Sequence, residues 1–94
     1  MVKPEDACPV CGFRLGFAPW VGSAASHEIC PSCGIHFGYD DMAGGDADRR
    51  QAVYDTWRAR WIDRGMPWTS VGMQRPSAWD PRGQLRSIGI VVDC

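Results

Sequence analysis

One five-residue pattern occurs twice in this chain and constrains its fold more than any other feature. The first copy is Cys8-Pro9-Val10-Cys11-Gly12 and the second is Cys30-Pro31-Ser32-Cys33-Gly34; we call each copy a knuckle. The glycine after the second cysteine permits the positive φ that such a turn needs. Eighteen residues lie between Cys11 and Cys30, a spacing typical of four-cysteine zinc sites. The sequence therefore predicts one zinc ion bound by Cys8, Cys11, Cys30 and Cys33.

The length of the chain limits what can surround such a site. Its 94 residues are enough for one domain with one core, so we expect a single zinc-binding domain over residues 1–94. There is no run of about eighteen apolar residues and no signal-peptide pattern, which predicts a cytoplasmic protein that does not bind membranes. A reducing compartment keeps thiols free, and this favours a metal site over disulfides.

The formal net charge of −1 hides an uneven distribution of charged side chains. Residues 40–48 carry four aspartates and no base, whereas residues 49–64 carry five arginines against Asp55 and Asp63. Four thiolates around a divalent ion would add two further negative charges. A general nucleic-acid binder is expected to be strongly basic. We instead expect a mildly acidic protein with one cationic helix.

The order of apolar runs and turn residues predicts an α+β fold. It would combine a small zinc ribbon of short antiparallel strands with one main amphipathic helix and a short C-terminal helical turn and strand. The expected parts are the zinc ribbon at 7–39, an acidic loop at 40–48, the helix at 48–64 and a C-terminal wrap at 65–94. Within the ribbon, we expect a hairpin loop at residues 22–26 and a strand at residues 35–39.

The helix predicted at residues 48–64 has a signal at each end. Asp46 or Asp48 can serve as its N-cap, and Gly65 is expected to end it. Four large side chains recur at helical spacing on one face, namely Val53, Tyr54, Trp57 and Trp61. Because so short a chain needs large aromatic residues to build a core, we predict that this face is buried rather than a binding surface.

Two further elements are predicted in the C-terminal wrap. Asp80 followed by Pro81 is typical of a helix start, with the aspartate as N-cap and the proline at the first helical position. The β-branched run Ile88–Val92 predicts a C-terminal strand, which would add to the edge of the ribbon sheet.

The second knuckle and its flanking residues resemble a known group of proteins. The stretch from Glu28 to Asp41 is similar to the signature of small bacterial cysteine-rich proteins of the CPCC-like type, and residues 57–65, Trp68 and residues 79–85 also match. The first knuckle differs from that pattern, which has adjacent cysteines there. Members of the group are largely uncharacterised, and some related proteins are regarded as immunity partners of bacterial toxins. The resemblance implies a bacterial zinc-binding accessory protein with a toxin-immunity-like role.

The predicted zinc site indicates a structural metal. Four cysteine ligands leave no open coordination position for water, so we expect a protein that is not an enzyme. The metal would hold together the N-terminal third, where few apolar residues could hold the strands unaided. His27 and His36 lie beside the second knuckle, but the ligand set is complete without them, and we interpret both as ordinary side chains. We expect Cys94, the odd cysteine, to be a free exposed thiol.

Asp40 and Asp41 form a second constellation with two interpretations. They are either an acidic patch that meets a basic partner, or part of a loop that is solvated or paired with nearby arginines. Those arginines are Arg49, Arg50 and Arg58.

Three functions remain open, and the least favoured is an enzyme, which would need a polar cleft away from the zinc with a perturbed histidine or carboxylate. The other two are binding functions. The first is a zinc-stabilised module that binds another protein, and the alternative is a zinc ribbon that binds nucleic acid through the arginine-rich helix. The two are separated by whether four arginines form an open patch or are neutralised by residues 40–48. These are Arg50, Arg58, Arg60 and Arg64. We predict the first function, and the oligomeric state stays open.

Overall fold

The computed structural model describes residues 6–92 and confirms the α+β class predicted from the sequence. In chain order its regular elements are strand β1 at Trp20–Val21, strand β2 at Ala24–Ala25, helix α1 at Ala47–Asp63 and helix α2 at Pro81–Ser87. The two strands form an antiparallel sheet, and a turn of 3-10 helix at Ala43–Gly45 precedes α1. No helix within residues 6–92 is long and apolar enough to cross a membrane.

The sheet is a tighter hairpin than the sequence predicts. Trp20 pairs with Ala25 across it, so only two residues form the loop between the strands. Gly22 opens this loop with φ 59°, a conformation that two-residue hairpin loops require. The predicted loop at residues 22–26 is therefore too long, since β2 occupies part of it.

Outside this hairpin the predicted ribbon strands are reduced to two isolated antiparallel bridges. Ala7 pairs with Arg14 around the first knuckle, and Ile29 pairs with His36 around the second. The strand predicted at residues 35–39 is wrong beyond His36. The amide of Asp40 donates to the His36 carbonyl at 2.9 Å, so the chain turns back directly after the bridge.

Helix α1 begins at the first of its two predicted caps. The carboxylate of Asp46 accepts the backbone amides of Asp48 and Arg49 at 2.9 and 3.2 Å. These bonds satisfy two of the amides that have no partner within the helix. The predicted start at residue 48 is therefore one residue late.

The same helix ends at its predicted glycine. Gly65 has φ 89°, and its amide donates to the carbonyl of Ile62, while the amide of Met66 donates to that of Trp61. This pair of bonds is the Schellman pattern of helix ends, which needs a residue with positive φ at the position of Gly65.

The aromatic face of α1 packs into the core. Trp61 is fully buried and Tyr54 is 6% exposed, whereas Val53 and Trp57 are half-buried and lie against the core. The indole nitrogen of Trp61 donates to the Pro67 carbonyl at 2.8 Å. The predicted burial of this face is confirmed for Trp61 and Tyr54, and Trp57 keeps part of its ring at the surface.

Helix α2 has the predicted start. Pro81 is its first residue, and the carboxylate of Asp80 accepts the Gly83 amide at 3.1 Å. The strand predicted at Ile88–Val92, however, is wrong. Gly89 has φ 84°, and the amide of Ile90 returns to the Leu85 carbonyl, which ends α2 in a second Schellman turn. Ile88, Ile90 and Val92 of this run still pack against the core, whereas Val91 is exposed, so the pattern reports partial burial and not a strand.

Candidate metal centre

Four buried cysteines lie close enough to bind one metal ion. The Sγ atoms of Cys8, Cys11, Cys30 and Cys33 all lie within 4.8 Å of one another. The Cys8–Cys33 and Cys11–Cys30 sulfur pairs are each separated by 3.7 Å, and none of the four side chains is more than 1% exposed. The structure thus brings together all four residues that the sequence predicts as ligands.

Two of the six sulfur–sulfur separations match those around a tetrahedral ion, and the other four lie within 4.8 Å. With metal–sulfur bonds of about 2.3 Å, neighbouring sulfurs of a tetrahedron lie about 3.8 Å apart. A disulfide would instead place two sulfurs about 2.05 Å apart. The observed 3.7 Å agrees with the first distance, and all four thiols are free of disulfides.

The two knuckles repeat each other bond by bond. In the first, the amide of Cys8 donates to the Phe13 carbonyl, and the amide of Gly12 donates to the Cys8 carbonyl, both at 2.8 Å. In the second, Cys30 donates to Ile35 at 2.9 Å and Gly34 donates to Cys30 at 2.8 Å. The glycines have φ 81° and 83°. Each knuckle is therefore a preformed turn that presents two sulfurs.

Burial acts against the charged form of two of the four thiols, those of Cys8 and Cys33. Burial, and then the hydrogen bond to Cys11, raise the pKa of the Cys8 thiol, and the same causes raise the pKa of the Cys33 thiol. A metal ion among the sulfurs would reverse this, because coordination deprotonates a thiol outright. The chemistry of the donor set therefore fits a bound divalent ion.

The backbone carbonyls of the first knuckle are covered by two distant side chains. The guanidinium of Arg58, on α1, donates to the Val10 carbonyl at 2.7 Å and to the Pro9 carbonyl at 2.8 Å. The amide side chain of Gln84, on α2, reaches the Cys11 carbonyl at 3.4 Å. Arg58 also places a positive charge against the turn that presents Cys8 and Cys11.

The carbonyls of the second knuckle are covered by other residues. The indole nitrogen of Trp57 donates to the Cys33 carbonyl at 2.9 Å. The hydroxyl of Thr69 donates to the Ser32 carbonyl at 2.9 Å, and the amides of Thr69 and Ser70 donate to the Pro31 carbonyl at 3.1 and 2.9 Å. In each knuckle the same three backbone carbonyls thus find a donor in α1 or in the C-terminal segment.

Sequence reasoning missed most of these covering residues. Trp57 was predicted to pack, but nothing in the chain marks Arg58, Thr69 or Gln84 as a partner of a knuckle. Arg58 lies 48 positions from Val10 and Gln84 lies 73 positions from Cys11. A local pattern carries no information on contacts at such separations.

The two histidines lie outside the cluster. His27 is exposed, and the ring of His36 stacks on that of Tyr39 with centroids 5.5 Å apart. Within residues 6–92 the four-cysteine group is the one set of side chains close enough to hold a metal, and it contains neither histidine. Cys94 lies outside the described residues.

Asp41 is a buried structural residue rather than part of an acidic patch. Its carboxylate accepts the indole of Trp20 at 2.8 Å, the amide of Gly38 at 2.6 Å and the hydroxyl of Tyr54 at 2.7 Å. Burial, and then the hydrogen bond from the Tyr54 hydroxyl to Asp41, raise the pKa of Tyr54. The carboxylate of Asp40 accepts the amide of His36 at 2.9 Å. Both aspartates therefore stabilise the loop that leads from the second knuckle to α1.

The arginines of α1 do not form one open patch. Arg58 is bound to the first knuckle, and Arg50 donates to the backbone carbonyl of Asp41 at 2.8 Å while its guanidinium lies 3.7 Å from the Trp20 ring centroid. Arg60 and Arg64 are exposed and make no side-chain hydrogen bond or ion pair with residues 6–92. Two of the four arginines predicted to form the patch, Arg50 and Arg58, are therefore engaged within the molecule. Their partners are mainly backbone carbonyls rather than the aspartates of residues 40–48.

Comparison with known proteins identifies no relative: no family model, curated protein or solved structure matches this chain. The resemblance to the CPCC-like group therefore stays a prediction.

Proposed function

We propose that this protein is a cytoplasmic, non-catalytic module that is stabilised by one zinc ion and binds another protein. The observation that carries this proposal is the set of four buried thiols, because four protein ligands would complete a tetrahedral shell. Such a shell leaves no position for a substrate or for an activated water. The metal's role is then to hold two knuckles together so that the rest of the chain can pack on them.

Zinc is the proposed ion because closed tetrahedral sites of four thiolates are typical of structural zinc. Iron also accepts four thiolates, and the two metals are easily distinguished. Mass spectrometry of protein purified without chelators should find close to one zinc per chain. A coloured protein with iron as its main metal would contradict this assignment.

The choice of a protein partner is supported by charge. The formal net charge is −1, and four thiolates around a divalent ion make the folded protein more negative. Two arginines of the cationic helix, Arg50 and Arg58, are engaged with the protein's own carbonyls. Three of the five arginines in residues 49–64 make no side-chain bond with residues 6–92, but Arg49 lies at the start of α1 and Arg60 and Arg64 lie at its end. A phosphate backbone would therefore find no continuous cationic face on α1, which disfavours the alternative of a nucleic-acid-binding zinc ribbon.

The experiment that tests this function is affinity capture with metal-loaded protein from a bacterial lysate, followed by binding measurements with each purified candidate. A genuine partner binds the intact protein at micromolar concentration or better, and fails to bind the Cys11→Ser variant, which lacks one ligand. Gel-shift assays with single- and double-stranded probes at about 50 and 200 mM salt test the alternative, since non-specific phosphate binding weakens steeply over this range. Nucleic-acid binding that survives the higher salt, or the lack of any reproducible partner, would refute the proposal.

A further inference from the structure

A groove of about 390 Å³ runs between the first knuckle and α2. Its apolar wall is formed mainly by Phe13 and Trp79, and Arg14 and Gln84 line it as well. The volume lies within the range of cavities that bind a side chain or a small ligand. Phe13 and Trp79 also pack against the core, and Gln84 also covers the Cys11 carbonyl, so the groove borders both the core and the first knuckle.

The aromatic wall of the groove is held in place from behind. The ring of Trp68 meets both Phe13 and Trp79 edge to face, with centroids 5.6 Å apart in each pair. The indole of Trp68 donates to the Met73 carbonyl at 3.0 Å, and that of Trp79 donates to the Ser32 hydroxyl at 3.3 Å. Because these rings are already ordered, a guest side chain would bind without the entropic cost of fixing them.

Two arginines and one aspartate lie at the groove: Arg14 and Asp80 line it, and Arg75 lies beside Trp79. The side chain of Arg14 is exposed and makes no hydrogen bond or ion pair with residues 6–92, and the guanidinium of Arg75 lies 5.9 Å from the Trp79 ring centroid. The acid that lines the groove, Asp80, is engaged as the N-cap of α2 through the amide of Gly83. A guest that carries carboxylates beside an apolar side chain would complement this arrangement.

We infer that this groove is the docking site for an acidic peptide segment of the partner protein, and this inference rests on the proposed protein-binding function. An apolar side chain of the segment enters between Phe13 and Trp79, and its carboxylates face Arg14 and Arg75. A second cavity of about 400 Å³ shares Arg14 and Ser87 with the groove, which extends the surface for a peptide in an extended conformation. A nucleic acid fits less well, since its run of phosphates would meet only two arginines and it offers no apolar side chain to enter between Phe13 and Trp79.

Selection from a random peptide library displayed on phage, with the metal-loaded full chain as target, tests this inference. We expect selected peptides to be rich in aspartate or glutamate next to an aromatic or aliphatic residue. Arg14→Glu and, separately, Arg75→Glu should each weaken their binding roughly tenfold, because each replaces an attraction with a repulsion. Arg49→Glu is the matched control: it makes the same charge change on an exposed residue at the start of α1, where an acid suits the helix.

Three results would overturn the inference: no enrichment of peptides, selected peptides that are neutral or basic, or equal weakening by Arg14→Glu and Arg49→Glu. The last would show a general charge effect rather than docking in the groove. An oligonucleotide that competes with the selected peptides at about 200 mM salt would also count against it. The proposed function can survive each of these failures, because a protein partner captured from the lysate can bind elsewhere on the surface.

Discussion

The first and second knuckles have the same local structure and are covered in different ways. Their internal hydrogen bonds match one for one, and their glycines adopt almost the same φ, 81° and 83°. The first knuckle is nevertheless capped by the long side chains of Arg58 and Gln84. The second is capped by the indole of Trp57, by the hydroxyl and amide of Thr69, and by the amide of Ser70.

This difference separates the two kinds of information that build the site. The five-residue pattern dictates the turn, whatever packs on it, because the turn is closed by its own backbone hydrogen bonds and by the positive φ of glycine. Which side chains donate to the carbonyls of a knuckle depends instead on which distant residues the fold brings next to it. If so, substitutions of the cysteine ligands should affect both knuckles alike, whereas substitutions of the covering residues, or of turn positions that contact them, should affect the knuckles unequally.

The largest effect is expected from removing one ligand from either knuckle. Cys11→Ser and Cys33→Ser should each unfold the segment at residues 8–34 that contains the two knuckles. A structural zinc contributes about 10–16 kcal/mol in small zinc-binding peptides. This exceeds or matches the whole stability of a small domain. Far-UV circular dichroism and zinc content should show both losses together, and a strong chelator should reproduce them.

Cys94→Ser is the control for that experiment, because the sequence predicts a free thiol at this position. It should leave the zinc content and the melting temperature unchanged. A Cys33→Ser protein that stays folded and metal-bound, beside an unfolded Cys11→Ser protein, would show that the two knuckles do not share one ion.

The next largest effect compares the knuckle glycines. A Cβ at Gly12 would overlap the backbone carbonyl oxygen of Gln84, whereas a Cβ at Gly34 would lie 2.7 Å from the Cγ2 atom of Thr69, whose side chain can shift. We expect Gly12→Ala to lower the free energy of unfolding by about 4 kcal/mol and Gly34→Ala by about 2 kcal/mol, from strain and overpacking together. Urea titration of the zinc-loaded variants measures both.

Gly16→Ala isolates the strain of positive φ in that series. Gly16 has φ 82° and no atom within 4 Å of the site of its Cβ, so this variant should lose only about 1 kcal/mol. If all three variants lost the same free energy of unfolding, the close approach of α2 to Gly12 would not add to the cost of Gly12→Ala.

A third comparison sets the covering residues of α1 against each other. Arg58→Met keeps the packed stem but leaves the carbonyls of Pro9 and Val10 without their donor, and we expect a loss of about 3 kcal/mol. Trp57→Phe removes one neutral hydrogen bond, to the Cys33 carbonyl, and should cost about 1 kcal/mol. Urea denaturation checks both values, with Arg60→Met as the exposed control that should change little. A larger loss in the free energy of unfolding for Trp57→Phe than for Arg58→Met would mean that Trp57 stabilises its knuckle more than Arg58 does.

The smallest effect is expected at the second knuckle. Thr69→Val removes the hydroxyl that donates to the Ser32 carbonyl, and two amides still hold the neighbouring Pro31 carbonyl. We expect a loss of about 0.5–1 kcal/mol in the free energy of unfolding. Thr56→Val on the exposed side of α1 controls for the change of residue type. A Thr69→Val protein indistinguishable from the Thr56→Val protein would mean that water replaces this donor without cost.

The sequence by itself determined the four cysteines that the structure brings together, the α+β class, and the caps of both helices. These are local properties: the spacing of cysteines within a knuckle, the side-chain acceptors of Asp46 and Asp80, and the positive φ available to Gly65. Each acts on backbone groups only a few residues away, so the pattern carries the whole physical cause. The burial of Trp61 was also predictable, since a small domain has few other large side chains with which to fill its core.

Only the tertiary structure decided how the rest of the chain meets the knuckles. Ile88, Ile90 and Val92 pack on the core without pairing as a strand, because Gly89 turns the chain at the end of α2. Asp41 is buried beneath Trp20 and Tyr54 instead of facing solvent, and Arg58 reaches a carbonyl 48 positions away. Buried carbonyls and carboxylates must find donors wherever the packed chain supplies them, and that supply is a property of the whole fold.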